Sequence, residues 1–127
     1  MRYAIRLSRW FRPLAATFGA RPENSFVEIE ETTLHASFGP LFDERFGLEK
    51  VLDIQPTHWP VIAGIGWRTN FVGSVGLIGS TKGVVRIRLR QPVKMRLAFL
   101  PVTCETLFVS LEKPDEFADA LRNRLTP

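Results

Sequence analysis

Arg86, Arg88 and Arg90 occupy every second position of Val84-Val85-Arg86-Ile87-Arg88-Leu89-Arg90, with Val85, Ile87 and Leu89 between them. An extended strand turns that period of two into one guanidinium face and one apolar face. Val93-Lys94-Met95-Arg96-Leu97-Ala98-Phe99 repeats the alternation. A two-residue Gln91-Pro92 turn would mix the two faces. A three-residue connection, 91–93, pairs Arg90 with Lys94 and Arg88 with Arg96 and keeps them apart, and burial sets register. The chemistry implied is non-covalent binding of an anion, because guanidinium and ammonium groups donate to phosphate or carboxylate oxygens. Like charges opposite one another destabilise a sheet. That cost makes Arg86, Arg88, Arg90, Lys94 and Arg96 the leading candidate surface, with Lys82 and Arg68 nearby. Trp59, Trp67 and Phe71 flank the glycine-rich segment beside Arg68. They offer rings that stack on cations or grip a partner, although aromatic residues in a β domain more often fill the core.

Other chemistries lack their residues. His35, His58 and Cys104 are far apart, without the paired spacing of a structural zinc site, so no metal or other cofactor is expected. Gly73 through Gly83 is rich in glycine, but Ser80 and Thr81 separate Gly79 from Lys82, and a strand rather than a helix follows. A nucleotide phosphate loop needs the opposite of both. Neither Ser110 nor Cys104 has a histidine at informative spacing, so no nucleophilic triad is anchored. Glu30 with Glu31, and Asp43 with Glu44, are adjacent and point to opposite sides of a strand. No enzyme activity is expected.

The net charge of +4 is segregated along the chain. Residues 1–22 hold five basic and no acidic side chains; residues 23–53 hold two basic and eight acidic. Residues 54–104 hold seven basic and no acidic side chains. Such a block favours anionic partners, unless it lies against the acidic block within the fold. The single cysteine excludes an intrachain disulfide and fits a reducing compartment. No run is long and apolar enough to cross a bilayer as a helix. Arg2, Arg6, Arg9 and Arg12 interrupt the apolar stretch a secretory signal needs. A cytoplasmic protein, peripheral to the membrane where it meets one, is the expectation.

The elements that must hold these residues are mostly strands. Tyr3 through Leu7 alternates, and a short helix ending at Gly19 follows. Phe26–Glu30 and Leu34–Phe38 form a hairpin around Glu31-Thr32-Thr33; Leu41–Phe46 and Leu48–Ile54 are the next strands. The segment 55–83 carries six glycines and holds short strands near Ile65–Arg68 and Val75–Ile78. Cys104–Leu111 alternates and runs into Pro114–Leu125. There Pro114 suits the first helical position, and Phe117, Ala120, Leu121 and Leu125 form one stripe.

Phe26–Glu30, Leu34–Gly39, Gly64–Arg68, Ser80–Ile87 and Val109–Phe117 together resemble the small bacterial proteins of pleckstrin-homology-like fold, over roughly residues 25–125. The resemblance implies a mainly β barrel or sandwich of about seven antiparallel strands with a C-terminal capping helix. It further implies one domain over 1–127, with residues 1–24 as an N-terminal strand and short-helix extension, and a binding rather than catalytic role. Lipid-binding members of the wider fold hold an inositol phosphate around their first hairpin. Here that hairpin, Glu28 through Thr33, is acidic, and no lipid-site residue carries over.

The reading is a non-enzymatic binding module that docks lipid head groups or an acidic protein surface on its basic hairpin. Nucleic acid is not expected as a partner. The alternative is an interaction domain that forms a homo-oligomer or takes a peptide at a sheet edge, with no lipid role. A small-ligand carrier would need an open barrel interior, against which the terminal helix argues.

Overall fold

In the computed structural model, which describes residues 1–60, 63–70 and 73–125, two β-sheets and a C-terminal helix enclose one core. The first sheet is β1 (Arg2–Ala4), β2 (Ser25–Ile29), β3 (Thr33–Phe38) and β4 (Asp43–Gly47), paired in that order, each neighbour antiparallel. The second contains β5 (Val51–Pro56), β6 (Gly66–Thr69), β7 (Gly73–Ile78), β8 (Val84–Leu97) and β9 (Leu100–Ser110), in the order β5-β8-β9-β7-β6. A short helix, α1 (Arg12–Thr17), follows β1, and α2 (Pro114–Leu125) follows β9. No described helix is long and apolar enough to cross a membrane.

Three expectations are corrected. There are nine strands among the described residues rather than about seven, and they do not all run antiparallel, because β7 and β9 are parallel. The sheets do not close into a barrel. The connection expected at 91–93 is not a turn: β8 runs on through Gln91 and Pro92, and Leu97 pairs with Leu100 across a turn at Ala98-Phe99. Arg90 therefore does not face Lys94, nor Arg88 Arg96; Arg88 faces Thr106 and Arg96 faces Pro101. Pro92 lies where the register breaks between Arg88 and Val93, a position at which a missing N–H leaves no ladder bond unmade.

The parallel pair follows from a crossover. β9 lies between β7 and β8 and runs antiparallel to β8, so the chain leaving β7 must pass over the end of β9 to reach β8. It does so at Gly79–Gly83, and only glycine fits at the two ends. A Cβ at Gly79 would lie 2.4 Å from the Arg6 carbonyl oxygen, and one at Gly83 2.2 Å from that of Leu111. Ser110 ties this crossing together. Its buried hydroxyl accepts from the Gly79 N–H at 2.8 Å and donates to the Arg6 carbonyl at 3.0 Å. An Ile5–Leu111 bridge beside it joins the N-terminal segment to the second sheet. Ser110→Ala leaves both groups without a protein partner, and we expect a loss of about 2–4 kcal/mol in denaturant-unfolding stability. A loss under about 0.5 kcal/mol would mean that water replaces the hydroxyl at no cost.

The inward face of each strand supplies the core: Val27, Ile29, Leu34, Ala36 and Phe38 from the first sheet, Val75, Leu77, Val85, Ile87, Leu107 and Val109 from the second. Residues 1–24 contribute Tyr3, Ile5, Leu7, Phe11, Ala15 and Ala20 to the same cluster. The helix α2 covers β5, burying Phe117, Ala118 and Leu121, while Arg122 donates to the Ile54 carbonyl at 3.0 Å. Its boundaries are those that Pro114 and the 3.6-residue stripe specify.

Candidate functional site

From Arg86 onward, alternation places the even-numbered residues of β8 outward. Arg88, Arg90, Lys94 and Arg96 are exposed and Arg86 is half-buried, while Val85, Ile87, Leu89, Met95 and Leu97 are buried. The surroundings of the five cations differ. Arg86 lies in a cross-strand row with Gln55, Phe108, Gly76 and Arg68, and it donates to the Gln55 side chain at 2.8 Å. Arg88 grips Asp53 on β5 with its Nε at 3.0 Å from both carboxylate oxygens and its Nη2 against Oδ2. Those hydrogen bonds, ahead of the opposing effect of burial, hold the Asp53 carboxyl below its ordinary range. Part of the basic block thus meets the acidic block inside the fold.

Past the register break the environment changes. The last residue of β5 to pair with β8 is Val51, opposite Leu89, so Lys94–Leu97 and Leu100–Thr103 form a two-stranded ribbon beyond the rest of the sheet. Met95, Leu97 and Val102 turn inward. The ribbon rests on the first sheet, where the Arg96 N–H donates to Glu44 Oε1 at 2.7 Å and the Ala98 N–H to the Leu41 carbonyl at 2.7 Å. Its outer side carries Lys94 and Arg96, with Arg90 at the break. Among the described residues none of these three side chains forms an ion pair. The tip is apolar: Phe99 is 93% exposed and Leu100 52%. Ala98 holds the turn at a φ of 57°, in the left-handed region.

A second apolar and cationic surface lies on α1 and the residues that flank it. Phe11 and Ala15 are buried, whereas Trp10, Leu14 and Phe18, spaced i, i+4 and i+8, are exposed beside Arg9 and Arg12. The end of α1 reaches the same segment that the ribbon touches, since Gly19 abuts Pro40 and Leu41 accepts from Ala98.

The remaining sequence candidates lie elsewhere. Lys82 is exposed at the β7–β8 crossing, at the opposite end of the fourteen-residue β8 from Arg96. Arg68 is exposed on β6 beside a groove of about 310 Å³ lined by Trp59, Asn70, Ser74, Gly76 and Phe108 among others. Trp59 stands over Phe108 with ring centroids 5.2 Å apart and donates its indole N–H to the Gly64 carbonyl at 2.8 Å. Trp67 is on the other face of the sheet, stacked 4.5 Å from Phe38 and donating to the Phe38 carbonyl. The two tryptophans do not form one grip. Phe71 lies outside the described residues. Cys104 is buried, and that burial pushes its thiol up to about 12, so no thiolate nucleophile forms at neutral pH.

Sequence reasoning missed the ribbon tip. Phe99 and Leu100 are apolar residues whose exposure depends on where the turn falls, and Pro92 drew the turn seven residues too early. Compared with known protein families, with curated proteins and with solved structures, the chain matches none.

Proposed function

We propose that this domain is a non-catalytic module that docks on an anionic membrane surface through the free ribbon of β8 and β9. The observation that carries the reading is the pairing of an exposed apolar tip, Phe99-Leu100, with cations free of ion pairs at Lys94 and Arg96 along the ribbon behind it and at Arg90 by the register break. Apolar side chains at a loop tip enter the boundary between head groups and acyl chains, and cations behind them meet lipid phosphates. Trp10, Leu14 and Phe18 with Arg9 and Arg12 supply a second contact of the same kind. A pleckstrin-homology-like fold, which the sequence suggests over residues 25–125, would imply the same kind of binding role. The contact is placed away from the acidic first hairpin, and Arg88, held by Asp53, takes little part.

Each Lys or Arg near an anionic leaflet contributes about 1 kcal/mol. Reversing two charges therefore removes about 4 kcal/mol, or roughly two to three orders of magnitude in partition coefficient. Co-sedimentation of the wild-type chain and of Lys94→Glu/Arg96→Glu, with neutral and with anionic vesicles across a salt series, tests this. Binding confined to anionic vesicles, weakened by salt and lost in the variant, is the expected result. No binding to anionic vesicles at low salt would overturn the membrane reading. Native mass measured in the same buffers would then report whether the ribbon joins copies of this chain instead.

A further inference from the structure

We propose that the outer face of the first sheet binds a divalent transition-metal ion through Glu28, Glu30 and His35, with Asp43 orienting the imidazole. The β2–β3 register sets Glu28 opposite His35, and Glu30 shares the face of Glu28 two residues on. One donor atom from each of the three lies within 4.8 Å of the others. Metal–ligand bonds of about 2.0–2.2 Å need donors roughly 3–3.5 Å apart, so side-chain rotation of about 1 Å closes the set without backbone movement.

Clustered carboxylates alone would be unremarkable on a sheet surface; the histidine distinguishes this group. The His35 side chain is only 8% exposed and lies edge-on against Phe26, ring centroids 5.0 Å apart. Its Nε2 is 2.5 Å from Asp43 Oδ1, and its Nδ1 is buried with no hydrogen-bond partner. A carboxylate accepting from Nε2–H fixes the tautomer and leaves the Nδ1 lone pair free. Metal-binding histidines almost always hold their second ring nitrogen this way. A buried nitrogen lone pair with nothing to accept from is otherwise a net cost to folding.

The glutamates are arranged to match. Arg2 reaches Glu28 through Oε1 at 3.4 Å, and Thr33 and Arg45 reach Glu30 through Oε1 at 2.7 and 3.2 Å. Among the described residues no donor takes Oε2 of either carboxylate. Arg2 and Arg45 thus steady the carboxylates from outside and offset part of their charge. The half-exposed surface leaves a fourth position to water. One imidazole and two carboxylates suit zinc, cobalt or manganese, and neither sulfur nor a closed cage is present to make the site purely structural.

Zinc titration by calorimetry, with cobalt absorbance as a second readout, tests the proposal on the intact chain. The expected result is one ion per chain at micromolar or tighter affinity, with protons released where the ligands must deprotonate. Glu28→Gln/Glu30→Gln, at half-exposed positions, should fold normally and weaken zinc binding at least 100-fold. Asp43→Asn should weaken it 10- to 100-fold while leaving all three ligands in place. Absence of zinc binding, or equal affinity in the double variant, which would put the ion at His58 or the N-terminus, overturns the proposal.

Discussion

Phe117→Ala is expected to destabilise the domain by about 3–5 kcal/mol, the range for emptying a fully buried phenylalanine site. Phe117 is wholly buried on α2, its ring edge-on to Tyr3 at a centroid distance of 5.1 Å and an interplanar angle of 72°. Tyr3 belongs to the edge strand of the first sheet, while α2 covers β5, the edge strand of the second. The side chain therefore packs α2, which covers the second sheet, against the edge strand of the first. A domain of this size has a total stability of about 5–15 kcal/mol, so the variant should unfold on the order of 10–20 °C earlier. A loss below about 1 kcal/mol in denaturant unfolding would show that α2 is an appendage, and the sandwich would then have to be stable with an open end.

How much of this fold can be read from the chain depends on whether a local rule decides the element. The helix α2 can be read to the residue, because Pro114 fixes its start and Phe117, Leu121 and Leu125 keep one stripe. Alternation in β8 is equally plain, yet it misleads about the turn. Val85, Ile87 and Leu89 are buried in the same odd-numbered phase as Met95 and Leu97, which fits one strand carried across a local irregularity at Gln91–Val93 rather than two strands joined by a turn. Pro92 reads as a break because proline usually ends pairing, whereas here a register shift accommodates it. The parallel pairing of β7 with β9 has no local signal at all. It follows from β9 inserting between β7 and β8, and only the crowding around Gly79 and Gly83 betrays the crossing.

The candidate sites divide in the same way. Which cations point outward is legible from period two, but that Arg88 is occupied by Asp53 requires the register of β5 on β8, strands 35 residues apart in the hydrogen bond they share. The Glu28–Glu30–His35 group is only half legible. Glu28 and Glu30 share a face by alternation, but a three-residue connection at Glu31-Thr32-Thr33 would set Glu28 opposite Ala36, whereas the observed pairing is one residue shorter and sets it opposite His35. Paired histidine and cysteine spacing describes closed zinc sites and passes over carboxylates delivered by a strand.

Phe99→Asp should abolish binding to anionic vesicles at physiological salt while leaving thermal stability unchanged, a combination that no core substitution can give. The ring is 93% exposed, so nothing in the folded chain depends on it, and a surface change of this kind stays within about 0.5 kcal/mol. At a membrane the same ring gains up to about 1.5–3 kcal/mol on leaving water, and an aspartate there adds repulsion from the lipid phosphates. Together these amount to a loss of roughly two orders of magnitude in affinity. The buried Cys104, with its thiol pushed up to about 12, makes a direct check available, because in Phe99→Cys the new thiol is the one a label would reach. A polarity-sensitive fluorophore there should shift to the blue on anionic vesicles and stay unshifted on neutral ones. A label that remains in water while the protein still sediments would move the contact from the ribbon tip to Trp10, Leu14 and Phe18, on and beside α1. The ribbon's cations would then act as long-range attraction, not as the seat of insertion.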